Sequence, residues 1–450
     1  MSITRRKFIG HMGMLTAGFT GLRSLMEAGV VEETSDAITA YGSLIADPKG
    51  MLDLPSGFSY QVVSRVGETM HDGFLVPAAH DGMAAFAGPD GRTILIRNHE
   101  VSGAYNEGPF GENAQLRSRL DKSLIYDPTA MGGTTTLIYD TRRKKLDRHF
   151  LSLAGTMRNC AGGPTPWNSW VTCEETLDRG HGYAFEVPAS ASGPVQPVPL
   201  KAMGRFNHEA IAVDRASGVV YETEDRGDGL LYRFIPRQPG NLAAGGKLQA
   251  LQIQGLEGTD TANHGSRIIT PRRILRVQWV DLENEESGSD DLRAQGRSKG
   301  AARFSRGEGI WAENGVVYFI CTDGGPQKNG QIWRYTPSAA EGTAQETSKP
   351  GTLELYAESV DSRKFRNVDN VTGTPWGDML ACEDNKAENH LTGITPKGET
   401  YQFARNAMND SEFAGATFSP DGTTLFVNIQ RPGMTLAITG PWRNPATSNK

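Results

Sequence analysis

The chain has 450 residues, 38% of them hydrophobic, enough for a sizeable core and too many for wholesale disorder. Its formal charge of −6 argues against a general nucleic-acid binder, which is usually basic. With 53 Gly, 24 Pro and few long apolar runs, turn-rich all-β structure is expected.

The N-terminus reads MSITRRKFIGHMGMLTAGFTGL. Arg5 and Arg6 precede Phe8, and a moderately apolar stretch runs from Ile9 to Leu22. This is the pattern of a twin-arginine export signal, expected over residues 1–30 with cleavage near Ala28. The twin-arginine translocation machinery is therefore an expected partner, and a periplasmic or secreted location is expected. The apolar stretch is too short and too rich in Gly for a stable membrane anchor. This export route serves proteins that fold, often around a cofactor, before they cross, which is a first pointer to metal.

Residues 45–445 are expected to form one domain. Six stretches within it share a layout: a weakly apolar strand, a tight turn, a second strand ending in acid or amide, a loop, and a third apolar-aromatic strand. The first strand and turn read HDGMAAFAGPDG, CAGGPTPWN, HEAIAVDRASG, GEGIWAENG, DNVTGTPWG and FAGATFSPDG. The turn residues are those of hairpins. Polar insertions such as EVPASASGPVQPVP and ENEESGSDDLRAQGRSKGAAR read as surface loops. Repeated antiparallel units of this kind predict a six-bladed β-propeller around a central channel, the alternative being a large β-sandwich.

In such a unit the start of the first strand and the end of the second lie at one end. The starts carry Asp81, Cys160, His208 with Glu209, Arg306 with Glu308, and Asp369 with Asn370. The ends carry His99 with Glu100, Glu174 with Glu175, Glu224 with Asp225, Asp323, and Glu383 with Asp384. A propeller would gather them at one mouth of its channel. Crowded carboxylates raise one another's pKa or require cations. Carboxylates suit Ca²⁺ or another hard cation, and a thiolate beside them suits a softer or higher-valent transition metal. An arginine in the ring suits an anionic substrate. Cys173, Cys321 and Cys382 fall in the second strands of separate units, too far apart to bridge, and read as small core residues. For Cys160 two readings stand on this basis, core residue or ligand.

The stretches RNHE, NCAGGPTPW, TCEE, FNHEAIAVD, FSRGEGIW, DNVTGTPWGDMLACED and EFAGATFSPDGTTLFVNIQRPGMTLAITGPW resemble the PhoX-type alkaline phosphatases, exported bacterial enzymes. The resemblance runs from about Leu54 to Trp442. It implies phosphomonoester hydrolysis at a cluster of Fe³⁺ and Ca²⁺ at one channel mouth. By motif, Cys160 would bind iron, Glu209 and Glu308 would bind the metal cluster, and Arg306 would hold phosphate oxygens. Glu174 or Glu175, Glu224, Asp225, Glu383 and Asp384 are candidate calcium ligands, resting more on the repeat than on the motifs. A small-molecule phosphate ester is the implied substrate, and a monomer is expected.

Other motifs give little. GRSKG at 296–300 fits a serine-hydrolase pattern but follows no strand. No P-loop, H-E-x-x-H helix or paired C-x-x-C sites occur. Two alternatives remain: another metal-dependent propeller hydrolase, such as a phosphodiesterase or lactonase, and a non-enzymatic propeller stabilised by calcium.

Overall fold

The computed structural model describes residues 40–102 and 108–443. The twin-arginine segment and the expected boundaries at residues 30 and 445 lie outside these. Among the described residues, no helix is long and apolar enough to cross a membrane.

The fold is a propeller-like arrangement of antiparallel sheets. Each begins with a strand nearest the centre and works outward through antiparallel neighbours. His80–Ala87, Thr93–His99, Gly132–Asp140 and Lys145–Thr156 form one four-stranded sheet. Asn159–Pro164, Ser169–Glu174 and Ala184–Pro188 form the next. A nine-stranded sheet follows, from His208–Val213 at one edge to Gly307–Glu313 at the other. It is two such units joined by Ile274–Asp281, which pairs with Gly246–Ile253 on one side and Thr352–Glu358 on the other. The insertion after that strand is not a bare surface loop. It forms the helix Leu292–Ser298, with Leu292 buried. Gly296 sits so close to Leu230 that a Cβ there would lie 2.5 Å from its Cδ1. GRSKG is thus the end of a packed helix and its exit.

The last two sheets start with Val368–Gly373 and Phe413–Phe418, and each is finished by N-terminal chain. Leu52–Pro55 adds to Thr400–Asn406. Ser59–Arg65 pairs along the whole of Met434–Thr439. The two ends of the domain are therefore stitched together, and an edge that would otherwise expose unpaired backbone is covered.

The inner strands His80–Ala87, Asn159–Pro164, His208–Val213, Gly307–Glu313, Val368–Gly373 and Phe413–Phe418 each touch the next, and the last touches the first. Small residues make this closeness possible. Gly82, Ala161, Ala210, Gly309, Asn370 and Gly415 line a central cavity of about 150 Å³. A Cβ on Gly309 would meet the Asp369 carbonyl oxygen at 2.6 Å. Apolar clusters fill the spaces between successive sheets. Ile96 packs with Trp170 and Phe185, Val171 with Ile211 and Tyr232, and Tyr221 with Phe319 and Trp333. Ile320 packs with Met379, Leu380 with Phe413, and Leu95 with Phe426. Both faces of a sheet are buried this way, so its strands read as apolar runs more than as alternating ones. Cys173, Cys321 and Cys382 are buried, free thiols within these layers.

Candidate metal centre

One backbone device repeats at the same end of every unit. The residue just after each second strand donates its N–H to the carbonyl of the residue just before the inner strand. The pairs are Glu100 to Ala79, Glu175 to Arg158, Asp225 to Asn207, Thr322 to Arg306, Asp384 to Asn367, and Gln430 to Glu412. Immediately inside this bond the pairing register breaks. Shifts fall between His80 and Met83, Asn159 and Gly162, His208 and Ile211, Gly307 and Ile310, Val368 and Val371, and Ala414 and Thr417. Such bulges bend a strand and re-aim its side chains, and they are common beside active sites. Here Asp81, Cys160, Glu209, Glu308 and Asp369 each sit at the break.

The structure separates the adjacent acids that the sequence left together. Glu174, Glu224 and Glu383 are paired opposite the inner strands, and their side chains turn back into the sheets. Glu174 accepts from the N–H groups of Met157 and Gly182, both at 2.9 Å, and lies 2.7 Å from His181 Nδ1. Glu224 is held by Arg293 at 2.6 Å and the Tyr232 hydroxyl at 2.8 Å. Glu383 accepts from Thr392 Oγ1 at 3.0 Å and from the backbone of Arg366 and His390. These carboxylates close loops and stand apart from the site. Side chains alternate along a strand, so the next residue in each case, Glu175, Asp225 or Asp384, faces the mouth.

There the donor atoms of Cys160, Glu175 and Glu209 lie within 4.8 Å of one another, as do those of Glu209, Glu308 and Asp369, and those of Asp369, Asp384 and Glu412. Glu209 and Asp369 are shared, so the groups form one continuous chain of donors. Asp81 and Glu100 stand beside it, bridged by Gln430 Nε2 at 3.0 and 2.9 Å. Asp225 is held in a two-point pair by Arg306, at 2.8 and 2.9 Å, and Arg306 also reaches Glu308 at 2.9 Å. The Cys160 thiol donates to the His208 carbonyl at 3.4 Å. Of the predicted site residues, Cys160, Glu175, Glu209, Glu308 and Asp384 are brought together, with Asp225 and Arg306 at their edge.

Glu412 was missed by the sequence reading. It precedes the inner strand Phe413–Phe418, the repeat position that Arg306 occupies elsewhere, and the register of the repeat was the signal for it. Asp369 belongs to two of the groups, although the motifs gave it no ligand role. Asp323 lies one residue beyond the ring position, which Thr322 takes. His208 stacks on Phe206 and lies 3.3 Å from Glu222, and His99 is bonded to Ala78 and Thr135. Neither histidine joins the donor groups.

The electrostatics explain why this mouth calls for cations. Burial and then Asp369 and Glu175 push the Glu209 carboxyl well above the usual carboxylate range. Burial, Asp225 and Asp369 do the same to Glu308. Asp369 is pushed to about 7 by burial and then Asp384, and Glu175 to about 8, mainly by burial with Glu100 and Asp225 opposed by Arg158. Burial, then Glu209 and Glu175, holds the Cys160 thiol well up. Buried groups that resist ionisation beside one another are stabilised in charged form by positive charge placed between them. Oxygen donors in overlapping sets fit hard cations such as Ca²⁺, and the one thiol at the end of the chain of donors fits a transition metal.

The model of the family described as alkaline phosphatase PhoX matches residues 39–433. The chain belongs to the alkaline phosphatase PhoX family. Members of this family are phosphomonoesterases, and this chain is an enzyme of that class. Among solved structures, PhoX of Pseudomonas fluorescens in complex with vanadate, a transition state analogue, matches with a TM-score of 0.67 at 19% identity. The match covers 87% of this chain and 96% of that one. A gluconolactonase from Xanthomonas campestris matches with a TM-score of 0.38 at 10% identity, over 90% of this chain and 100% of that one. No curated protein sequence matches significantly. At the level of the fold, the PhoX likeness agrees with the propeller-like arrangement of sheets.

Proposed function

We propose that the chain is an exported alkaline phosphatase that hydrolyses small phosphate monoesters at an iron and calcium cluster, built on a six-bladed propeller. The observation that carries the metal dependence is the unbroken run of donors from Cys160 to Glu412 at one mouth, with shared Glu209 and Asp369. The closed ring of inner strands and the recurring backbone bond support six blades.

Cys160, Glu175, Glu209 and Glu308 would hold iron, because the thiol is at that end. Asp369, Asp384 and Glu412, with Asp81, Glu100 and Asp225 close by, would hold calcium. When bound, such cations neutralise phosphate charge and supply an activated nucleophile. The protein's own part is to fix these donors on rigid strand ends and to present Arg306. The Arg306 side chain is 43% exposed, and its planar fork matches phosphate oxygens. The vanadate in the Pseudomonas relative supports a phosphate ester as substrate. Residues 1–30 carry the twin-arginine pattern, so a periplasmic or secreted location follows if it is used.

Elemental analysis of protein exported in folded form, paired with p-nitrophenyl phosphate hydrolysis with and without chelator, tests this reading. Iron and calcium should co-purify with the chain, and chelation should abolish turnover. Full activity in metal-free protein would overturn it.

A further inference from the structure

Arg158 shares more with Arg306 than residue type. Both immediately precede an inner strand, Asn159–Pro164 and Gly307–Glu313 respectively. Both hold positive φ, 47° and 51°, a conformation uncommon for a residue with a side chain. Each carbonyl accepts from the residue after its own second strand, Glu175 or Thr322, at 3.0 Å. Each N–H donates to the carbonyl of the residue that follows the mouth acid of the preceding unit: Arg158 to Val101 at 3.1 Å, Arg306 to Arg226 at 2.8 Å. Each side chain then reaches that acid. Arg158 Nη2 lies 2.9 Å from Glu100, as Arg306 lies against Asp225. Arg158 also contacts Glu175, and Arg306 contacts Glu308.

Glu175 and Glu308 belong to the two donor groups that share Glu209. The inner strands that the two arginines precede, Asn159–Pro164 and Gly307–Glu313, lie on either side of the strand that carries Glu209, so in ring order the two guanidiniums flank Glu209. Both side chains reach the surface to the same degree, 40% and 43%. Arg158 is also less committed than its counterpart. Its contacts with both carboxylates are made through Nη2, and Nε is buried with no hydrogen-bond partner.

We propose that Arg158 is a second anion-binding residue of this mouth, closing on the phosphoryl group of the ester, and on the phosphate product, from the side opposite Arg306. This rests on the phosphatase reading above. It extends that reading from one guanidinium to a pair that grips a tetrahedral dianion from two flanks.

The test uses the metal-loaded, full-length protein and the variants R158A and R158Q. It measures kcat and KM for p-nitrophenyl phosphate, inhibition by inorganic phosphate, direct binding of inorganic phosphate by calorimetry, and iron and calcium per chain. The expected result is at least a tenfold weaker phosphate affinity and a raised KM in both variants, with metal content equal to wild type. R158Q keeps a hydrogen-bonding side chain near Glu100 and Glu175, so it decides the case if R158A alone loses metal. Phosphate binding unchanged in metal-loaded R158Q overturns the proposal, and so does metal loss in both variants that accounts for the lost activity. A wild type that binds phosphate in an Arg158-dependent way but hydrolyses no ester would sink the phosphatase reading and leave this assignment standing.

Discussion

Glu209→Gln should have opposite effects on the two states of the protein. Glu209 is buried, and its carboxylate lies within 4.8 Å of donors on Cys160 and Glu175 in one group and on Glu308 and Asp369 in another. Two unit charges at that separation repel by about 3 kcal/mol at an effective dielectric constant of about 20. Proton uptake by these carboxyls already relieves part of that, so replacing the charge by an isosteric amide should stabilise metal-free protein by roughly 1–2 kcal/mol. In a chain of this length that is an unfolding midpoint raised by roughly 1–2 °C. With metals bound the sign reverses, because the charge shared by two donor groups is lost. Loss of supporting contacts around a metal typically costs about 10–100-fold in affinity or activity, and loss of a shared ligand should cost more. Differential scanning calorimetry in chelator and in excess calcium and ferric iron, run beside the hydrolysis assay, reads both effects. A variant less stable than wild type in chelator would refute the reasoning, because the carboxylate would then be a structural ion-pair partner.

Glu224→Ala should do the reverse of a ligand change: it takes a buried acceptor from Arg293 and from the Tyr232 hydroxyl, while Arg293 keeps its two-point pair with Asp290, and it should cost about 1–3 kcal/mol in denaturant unfolding, with metal content per folded chain unchanged. Gly309→Ala would place a Cβ 2.6 Å from the Asp369 carbonyl oxygen and 2.9 Å from Asn370 Cα, both backbone atoms, so the inner strands must part. A loss of about 1–3 kcal/mol with reduced metal content is expected, and an unchanged melting midpoint would contradict the close approach. Burial, then Arg97 and His71, holds the His149 imidazole down at about 4. The unfolded state takes up a proton near pH 6.5 and the folded state only near 4, so stability falls as pH drops through that window. The pH dependence of unfolding should be shallower there in His149→Gln.

Much of the architecture could be read along the chain. Gly-rich turns and repeated short apolar strands marked the units, and the motifs around Cys160, Glu209 and Glu308 fell at corresponding places in them. The closure by Ser59–Arg65 and the joining strand Ile274–Asp281 could not be read, because both depend on partners far away in sequence. Nor could the packing of the 283–303 insertion, whose composition is polar although Leu292 and Gly296 are buried and Arg293 serves Glu224.

The sequence by itself determined that acids, a thiol and an arginine would fall at one end of repeated hairpins, since strand order and turn position suffice for that. Tertiary structure decided which acid of each adjacent pair faces the mouth. Glu174 and Glu175 are equivalent as chemistry, and alternation along a strand puts them on opposite sides. The phase of that alternation is set by pairing across the hairpin and by the bulge at each inner strand, which no single segment encodes. The ring then brought in Asp369 as a shared donor, added Glu412 from its last unit, and set Arg158 of one unit against Glu100 of the one before. These contacts exist only because six separate stretches of chain close around one axis.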